Sequence, residues 1–102
     1  MVIMAYTVTI LKENIKLLNY AMNLLLTAIL RESTSKEEQA RKCLNLQYML
    51  VDCFSAIKSN IEYSFKHNHL PYNDKADLLE SLEKDYQVWK YTINIHMGDK
   101  HA

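Results

Sequence analysis

Glycine and proline are almost missing from this chain: Gly98 and Pro71 are the only ones among 102 residues. Tight turns and hairpins consume both, glycine for positive φ and proline for its fixed φ, so the composition argues against a small β-domain. Phosphate-cradling loops, which need several glycines, are excluded with it. Helices joined by short polar connections need neither residue. An excess of charge is lacking too, since 12 basic and 12 acidic side chains cancel, and no third of the chain departs from neutrality by more than two charges. Nucleic-acid binders gather lysine and arginine on one face to neutralise phosphates, so DNA or RNA is disfavoured as a partner.

Cysteine is scarce and a long hydrophobic run is absent. Cys43 and Cys53 fall in one predicted helix, about 15 Å apart at 1.5 Å per residue, beyond disulfide reach. Two free thiols fit a reducing compartment, and a cytoplasmic location is expected. The most apolar stretch, Leu17 to Leu30, is interrupted by Asn19 and Asn23 and preceded by Lys12, Glu13 and Lys16. It falls short of the roughly 20 apolar residues a bilayer requires. Arg31 and Glu32 follow it without a small-x-small cleavage site, so neither membrane insertion nor secretion is expected.

What the chain does have is apolar residues at helical spacing, 49% overall, in a length suited to one domain spanning residues 1–102. Val8, Leu11, Ile15, Leu18, Met22, Leu25 and Ile29 follow one another at alternating steps of three and four, a seam that only a helix keeps on one side. A first helix over about 8–31 follows, with the β-branched alternation of Tyr6 to Ile10 suggesting a short extended lead-in. Ser35 and Glu38 have capping-box spacing and open a second helix over about 36–66. Its inner side carries Ala40, Cys43, Leu46, Leu50, Val51, Phe54, Ile57, Ile61 and Phe65. His67 to Asn73 reads as a loop in which Pro71 disfavours helix at Leu70, and Asn73 or Asp74 is a ready N-cap. A third helix over about 74–96 has Leu79, Leu82, Tyr86, Trp89 and Ile93 as its seam, Leu78 beside it, and Gly98 as its stop. The expected fold is all-α: a small three-helix bundle made of a long antiparallel pair and a third amphipathic helix. Leu50, Phe54, Ile57, Leu82 and Trp89 are expected to be mostly buried.

The apolar arcs are unequal. The third helix presents about 100° of the wheel, the second about 180° and the first about 200°. The first owes its width to a second stripe, Ile10, Leu17, Ala21, Leu24 and Ala28, lying away from the main seam. Either a partner covers that stripe, or the first helix is the central one and its second stripe is closed by loops and the N-terminal segment. Leu17, Ala21, Leu24 and Ala28 are therefore the candidate interaction surface. Association into a helical dimer is the expected use, with a different partner protein as the alternative, since two-fold self-contact is the commonest kind.

Chemistry-bearing constellations are missing. His67 and His69 bracket one residue in the loop, and His96 and His101 lie near the C-terminus. Zinc needs three or four converging ligands, and neither cysteine is near either pair in sequence. Cys43 and Cys53 fall on the predicted core side, where cysteine behaves as a small hydrophobe. Asp77, Glu80, Glu83 and Asp85 share the solvated side of the third helix with Lys84 and Lys90. No Walker loop, GxGxxG turn, HExxH pair or serine elbow is present. No catalytic, cofactor-binding or metal-binding residue and no small-molecule substrate is assigned. Gln47 intrudes near the centre of the second helix's apolar stripe, either as a partnered residue that fixes register or at the solvent end of the seam. Lys58 intrudes as well. Tyr86 faces inward, whereas Tyr20, Tyr48, Tyr63 and Tyr91 fall on polar sides.

In layout, a short helical bundle ending in a leucine- and tryptophan-bearing helix resembles small secretion chaperones and small helical bacteriocin-immunity proteins. No motif is shared and no residue is carried over. The expected function is a non-enzymatic protein–protein interaction module, of the chaperone, regulator, inhibitor or immunity type. The alternatives are a dimeric helical nucleic-acid-binding regulator, supported only by Lys36, Arg41 and Lys42, and an enzyme subunit whose site another chain completes.

Overall fold

The computed structural model describes residues 2–98. It consists of three α-helices, α1 (Val2–Glu32), α2 (Lys36–Lys66) and α3 (Tyr72–His96), with no strand among the described residues. The chain is thus an all-α three-helix bundle. The second helix has its predicted bounds, whereas the other two begin earlier than their spacing suggests.

At the start of α1, the stretch read as an extended lead-in is helical. β-branched residues lose only a few tenths of a kcal/mol each in a helix, and packing offsets that loss: Val8 lies against the core and Leu11 is buried in it. The Thr9 hydroxyl also donates to the Ala5 carbonyl at 3.0 Å, satisfying itself on the preceding turn. At the start of α3, Pro71 (φ −65°, ψ 153°) holds the N-cap position, not Asn73 or Asp74, and no side chain caps the helix. Proline's fixed φ suits a helix start, and its carbonyl accepts the Lys75 amide at 2.9 Å. Asp74 lies inside the first turn, where negative charge meets the positive end of the helix dipole.

The α2 cap is half as expected. The Ser35 Oγ accepts the Glu38 amide at 3.1 Å. The returning Glu38 carboxylate reaches past Ser35 and accepts from the Thr34 amide (2.6 Å) and hydroxyl (3.0 Å). The Thr34 amide bond is the main reason that the Glu38 carboxyl lies below its ordinary value, with smaller help from Lys42. Between α2 and α3, Asn68 adopts the left-handed region at φ 62°, which asparagine tolerates better than most residues. After α3, Gly98 takes φ 69° and ends the helix as expected.

Cross-helix contacts run in opposite directions along neighbouring helices. Gln39 reaches His96, Gln47 reaches Asn94, and Phe54 stacks on Tyr86 with ring centroids 4.2 Å apart. Both flanking helices pack on α2 and touch each other least, so α2 is the central helix. The core joins Leu11, Ile15, Leu18, Met22 and Leu26 of α1 to Cys43, Leu46, Leu50, Ile57 and Ile61 of α2. Leu78, Leu82 and Ile93 of α3 and Leu70 of the connection complete it.

Several core assignments shift. Leu26 is buried where Leu25 was expected, because a strict 3.5-residue seam drifts about 20° per heptad off a straight helix with 3.6 residues per turn. Val51 and Cys53 are exposed, since the buried arc of α2 is narrower than its apolar arc. Phe54 and Trp89 pack against the core but are only partly buried. Trp89 stays at the edge because its indole N–H has a polar partner there.

The bundle is flat and long, 52 × 24 × 15 Å with a radius of gyration of 15.9 Å, against about 13 Å for a compact domain of this length. Its accessible surface is 7120 Å², where a compact chain of this mass shows about 6,000 Å². Three helices placed nearly side by side leave broad outer faces.

Candidate interaction surface

The second stripe of α1 lies open. Leu17 is 60% and Leu24 51% exposed, Ile10 is also exposed, and Ala21 and Ala28 are half-buried. Because α1 is a flanking helix, the central-helix explanation of its wide apolar arc does not hold. The structure also shows what lies beside the stripe. Antiparallel packing sets Cys53, Ala56 and Ile57 of α2 across from Asn14, Leu17, Leu18 and Ala21, and these seven residues line a shallow groove of about 280 Å³. A second depression of about 200 Å³ continues it, lined by Thr7, Ile10, Leu11, Asn14, Asn60, Tyr63 and Ser64. Asn14 belongs to both. No lysine, arginine, aspartate or glutamate lines either depression, and α3 contributes no residue to them.

Two of the four predicted residues, Leu17 and Ala21, line the groove, while Leu24 and Ala28 continue the stripe beyond it. Apolar spacing places Cys53 on the core side, so the α2 wall of the groove does not show in the sequence pattern, whereas the structure leaves Cys53 exposed. Met49, Cys53, Ala56 and Asn60 follow at steps of four, three and four, the spacing of one helix side, adjacent to the buried stripe. Met49 is exposed as well. The two thiols differ: Cys53 is exposed at the groove, whereas Cys43 is fully buried and burial pushes its thiol pKa up.

A different cleft, about 400 Å³, opens between α1 and α3. Lys12 and Lys16 stand on the α1 wall, Asp74, Asp77 and Asp85 on the α3 wall, and Val8, Ile15 and Leu78 supply apolar lining. Asn19 sits at its edge as a hub. Its Nδ2 donates to Asp85 Oδ2 at 2.8 Å and to the Ile15 carbonyl at 3.0 Å, and its Oδ1 accepts the Trp89 indole N–H at 2.7 Å. At the other seam, Gln47 Nε2 donates to the Lys90 carbonyl (3.0 Å) and to Asn94 Oδ1 (2.7 Å). Gln47 is therefore a partnered residue between α2 and α3, which ties their register. Both hubs hold helices together, and no buried side-chain polar atom among the described residues lacks a partner.

The histidines stay apart. His67 packs on the Tyr63 ring at 4.1 Å, His69 is exposed, His96 is half-buried at the end of α3, and His101 lies outside the described residues. Among the described residues, no three His, Cys, Asp or Glu side chains gather in a group that could hold a metal ion. No helix among them is long and apolar enough to cross a membrane. No family model, curated protein or solved structure matches this chain.

Proposed function

We propose that this chain is a non-enzymatic protein–protein interaction module of the cytoplasm, presenting its α1–α2 face to another helical surface in a chaperone, regulator, inhibitor or immunity-type role. The observation that carries this reading is the pair of more-than-half-exposed leucines, Leu17 and Leu24, beside a groove without charged side chains. Full burial of a leucine is worth about 1.5–3 kcal/mol, so covering the exposed halves of these two gives about 2–3 kcal/mol before their neighbours contribute. The nucleic-acid alternative is weaker, because Lys42 of the Lys36, Arg41 and Lys42 cluster is drawn to Glu38 at 3.5 Å.

The test compares the wild type with Leu17→Glu/Leu24→Glu as tagged baits in cells that express the protein. Both positions are exposed, so circular dichroism and melting temperature should be unchanged. Proteins retained by the wild type and lost from the variant, including untagged copies of the chain itself, are the expected result. Identical retained sets would overturn the proposal.

A further inference from the structure

We infer that the occupant of this face is a second copy of the chain, docked α1 against α1 in antiparallel fashion about a two-fold axis near Met22. The inference rests on the interaction reading above and adds the identity and orientation of the partner.

The orientation comes from a pattern on the outer side of α1. Glu13, Leu17, Tyr20, Leu24, Thr27 and Arg31 succeed one another at steps of four and three, a heptad stripe directed away from the core, and all six are exposed. It carries an acid at one end, a base at the other and its apolar residues between them. Residues 13 and 31 are equidistant from position 22. A two-fold axis there sets Glu13 of each copy beside Arg31 of the other, and Tyr20 of each near Leu24 of the other. A parallel pairing would oppose like charges at both ends. Antiparallel self-docking is thus the arrangement in which the stripe complements itself. Ala21 beside the stripe permits close approach, and the groove of Ala21, Cys53 and Ala56 gives the partner's leucines a place to enter.

The stripe is long enough for a weak dimer. It runs about 27 Å at 1.5 Å per residue, about five helical turns. With no net charge on the chain, long-range repulsion does not oppose the contact. A weak, reversible dimer is the expected outcome.

Sedimentation equilibrium of the purified chain from about 1 to 100 μM, a range that captures dissociation constants in the micromolar regime, tests this with four variants. The wild type should dimerise and Leu17→Glu/Leu24→Glu should be monomeric. Glu13→Arg and Arg31→Glu should each weaken the dimer about three- to tenfold, in keeping with two exposed charge pairs per dimer. The exchange Glu13→Arg/Arg31→Glu should restore affinity to within about threefold of the wild type, an order-of-magnitude margin for exposed pairs. A monomeric wild type at 100 μM overturns the inference, as does an unaffected pair of single variants or a charge exchange without rescue. If the purified chain is monomeric while the bait comparison still loses a foreign protein with the leucine variant, the self-partner fails and the interaction reading stands. If both fail, the face is not an interface.

Discussion

Asn19→Ala probes the seam where the bundle is thinnest. α1 and α3 touch each other least of the three pairs, and Asn19 ties them through Asp85 and Trp89 at 2.8 and 2.7 Å. The substitution leaves the indole N–H and one carboxylate oxygen without these partners. A neutral hydrogen bond is worth a net ~0.5–1.5 kcal/mol and one to a charged group ~1.5–3 kcal/mol. Asp85 lines the open α1–α3 cleft, where water can replace the lost amide, so the charged bond belongs at or below the low end of its range. The two together come to about 2–2.5 kcal/mol. Alanine's better helix propensity returns about 0.5 kcal/mol. The net loss is about 1.5–2 kcal/mol, and at about 4–8 °C per kcal/mol for a domain of this size the melting temperature should fall by about 6–16 °C.

Trp89 is the only tryptophan, so its emission reports this seam directly. Urea unfolding followed by Trp89 fluorescence and by ellipticity at 222 nm gives the stability difference, and native Asn19→Ala should emit further to the red as the indole meets water. Trp89→Phe, read by ellipticity, keeps much of the packing and removes the N–H. The cycle with Asn19→Ala should return a coupling of about 1 kcal/mol, as expected for directly bonded partners. A single-variant effect below about 0.5 kcal/mol, the size of an unremarkable surface change, would refute the reasoning. Apolar contact alone would then hold α3 to α1.

Phe54→Ala should cost about 1.5–3 kcal/mol, less than the ~3–5 kcal/mol of a fully buried phenylalanine, because the ring is only partly buried against Tyr86. Thermal melts should rank Leu82→Ala, at a fully buried site, as the more damaging of the two, and the reverse order would contradict the assigned core. Gln47→Ala removes two bonds into α3 and should destabilise by about 1 kcal/mol, with faster amide exchange near Lys90 to Asn94; unchanged protection there would show that the register is held without it. Glu38 has a folded-state pKa below its ordinary value, so its contribution is present above the unfolded pKa and is lost as pH falls through the folded one. Glu38→Gln should therefore melt below the wild type at pH 7 and converge with it in acid below about pH 4, the region of carboxylate titration; a gap that persists at pH 2.5 would assign the effect elsewhere.

Local chemistry explains which parts of the fold were legible. The bounds of α2 could be read because Ser35 supplies a cap and the His67–Asn73 segment, with the single proline, supplies a stop. The start of α1 could not, because Tyr6 to Ile10 has strand-like composition and becomes helical through contacts made by Val8 and Leu11 across the bundle. Asn19 looked like an interruption in an apolar run. Its partners lie 66 and 70 residues away, a pairing that one sequence does not expose. Gln47 drew notice because it sat within an apolar stripe, yet its partners Lys90 and Asn94 were equally invisible.

The width of an apolar arc tells how much surface a helix needs to cover, whereas its neighbours tell how much is covered. A central helix meets two partners and can use a wide arc, although α2 leaves Met49 and Val51 exposed. A flanking helix needs about half of that, and α3 conforms. α1 flanks the bundle yet carries an arc wider than that of the centre. The surplus could be read from spacing alone, but its meaning depended on the order of the helices. Had α1 been central, Leu17 and Leu24 would have had α3 over one side and α2 over the other. With α2 in the centre they face outward, on the same helix side as Glu13 and Arg31, in a register that one further copy of this chain would match.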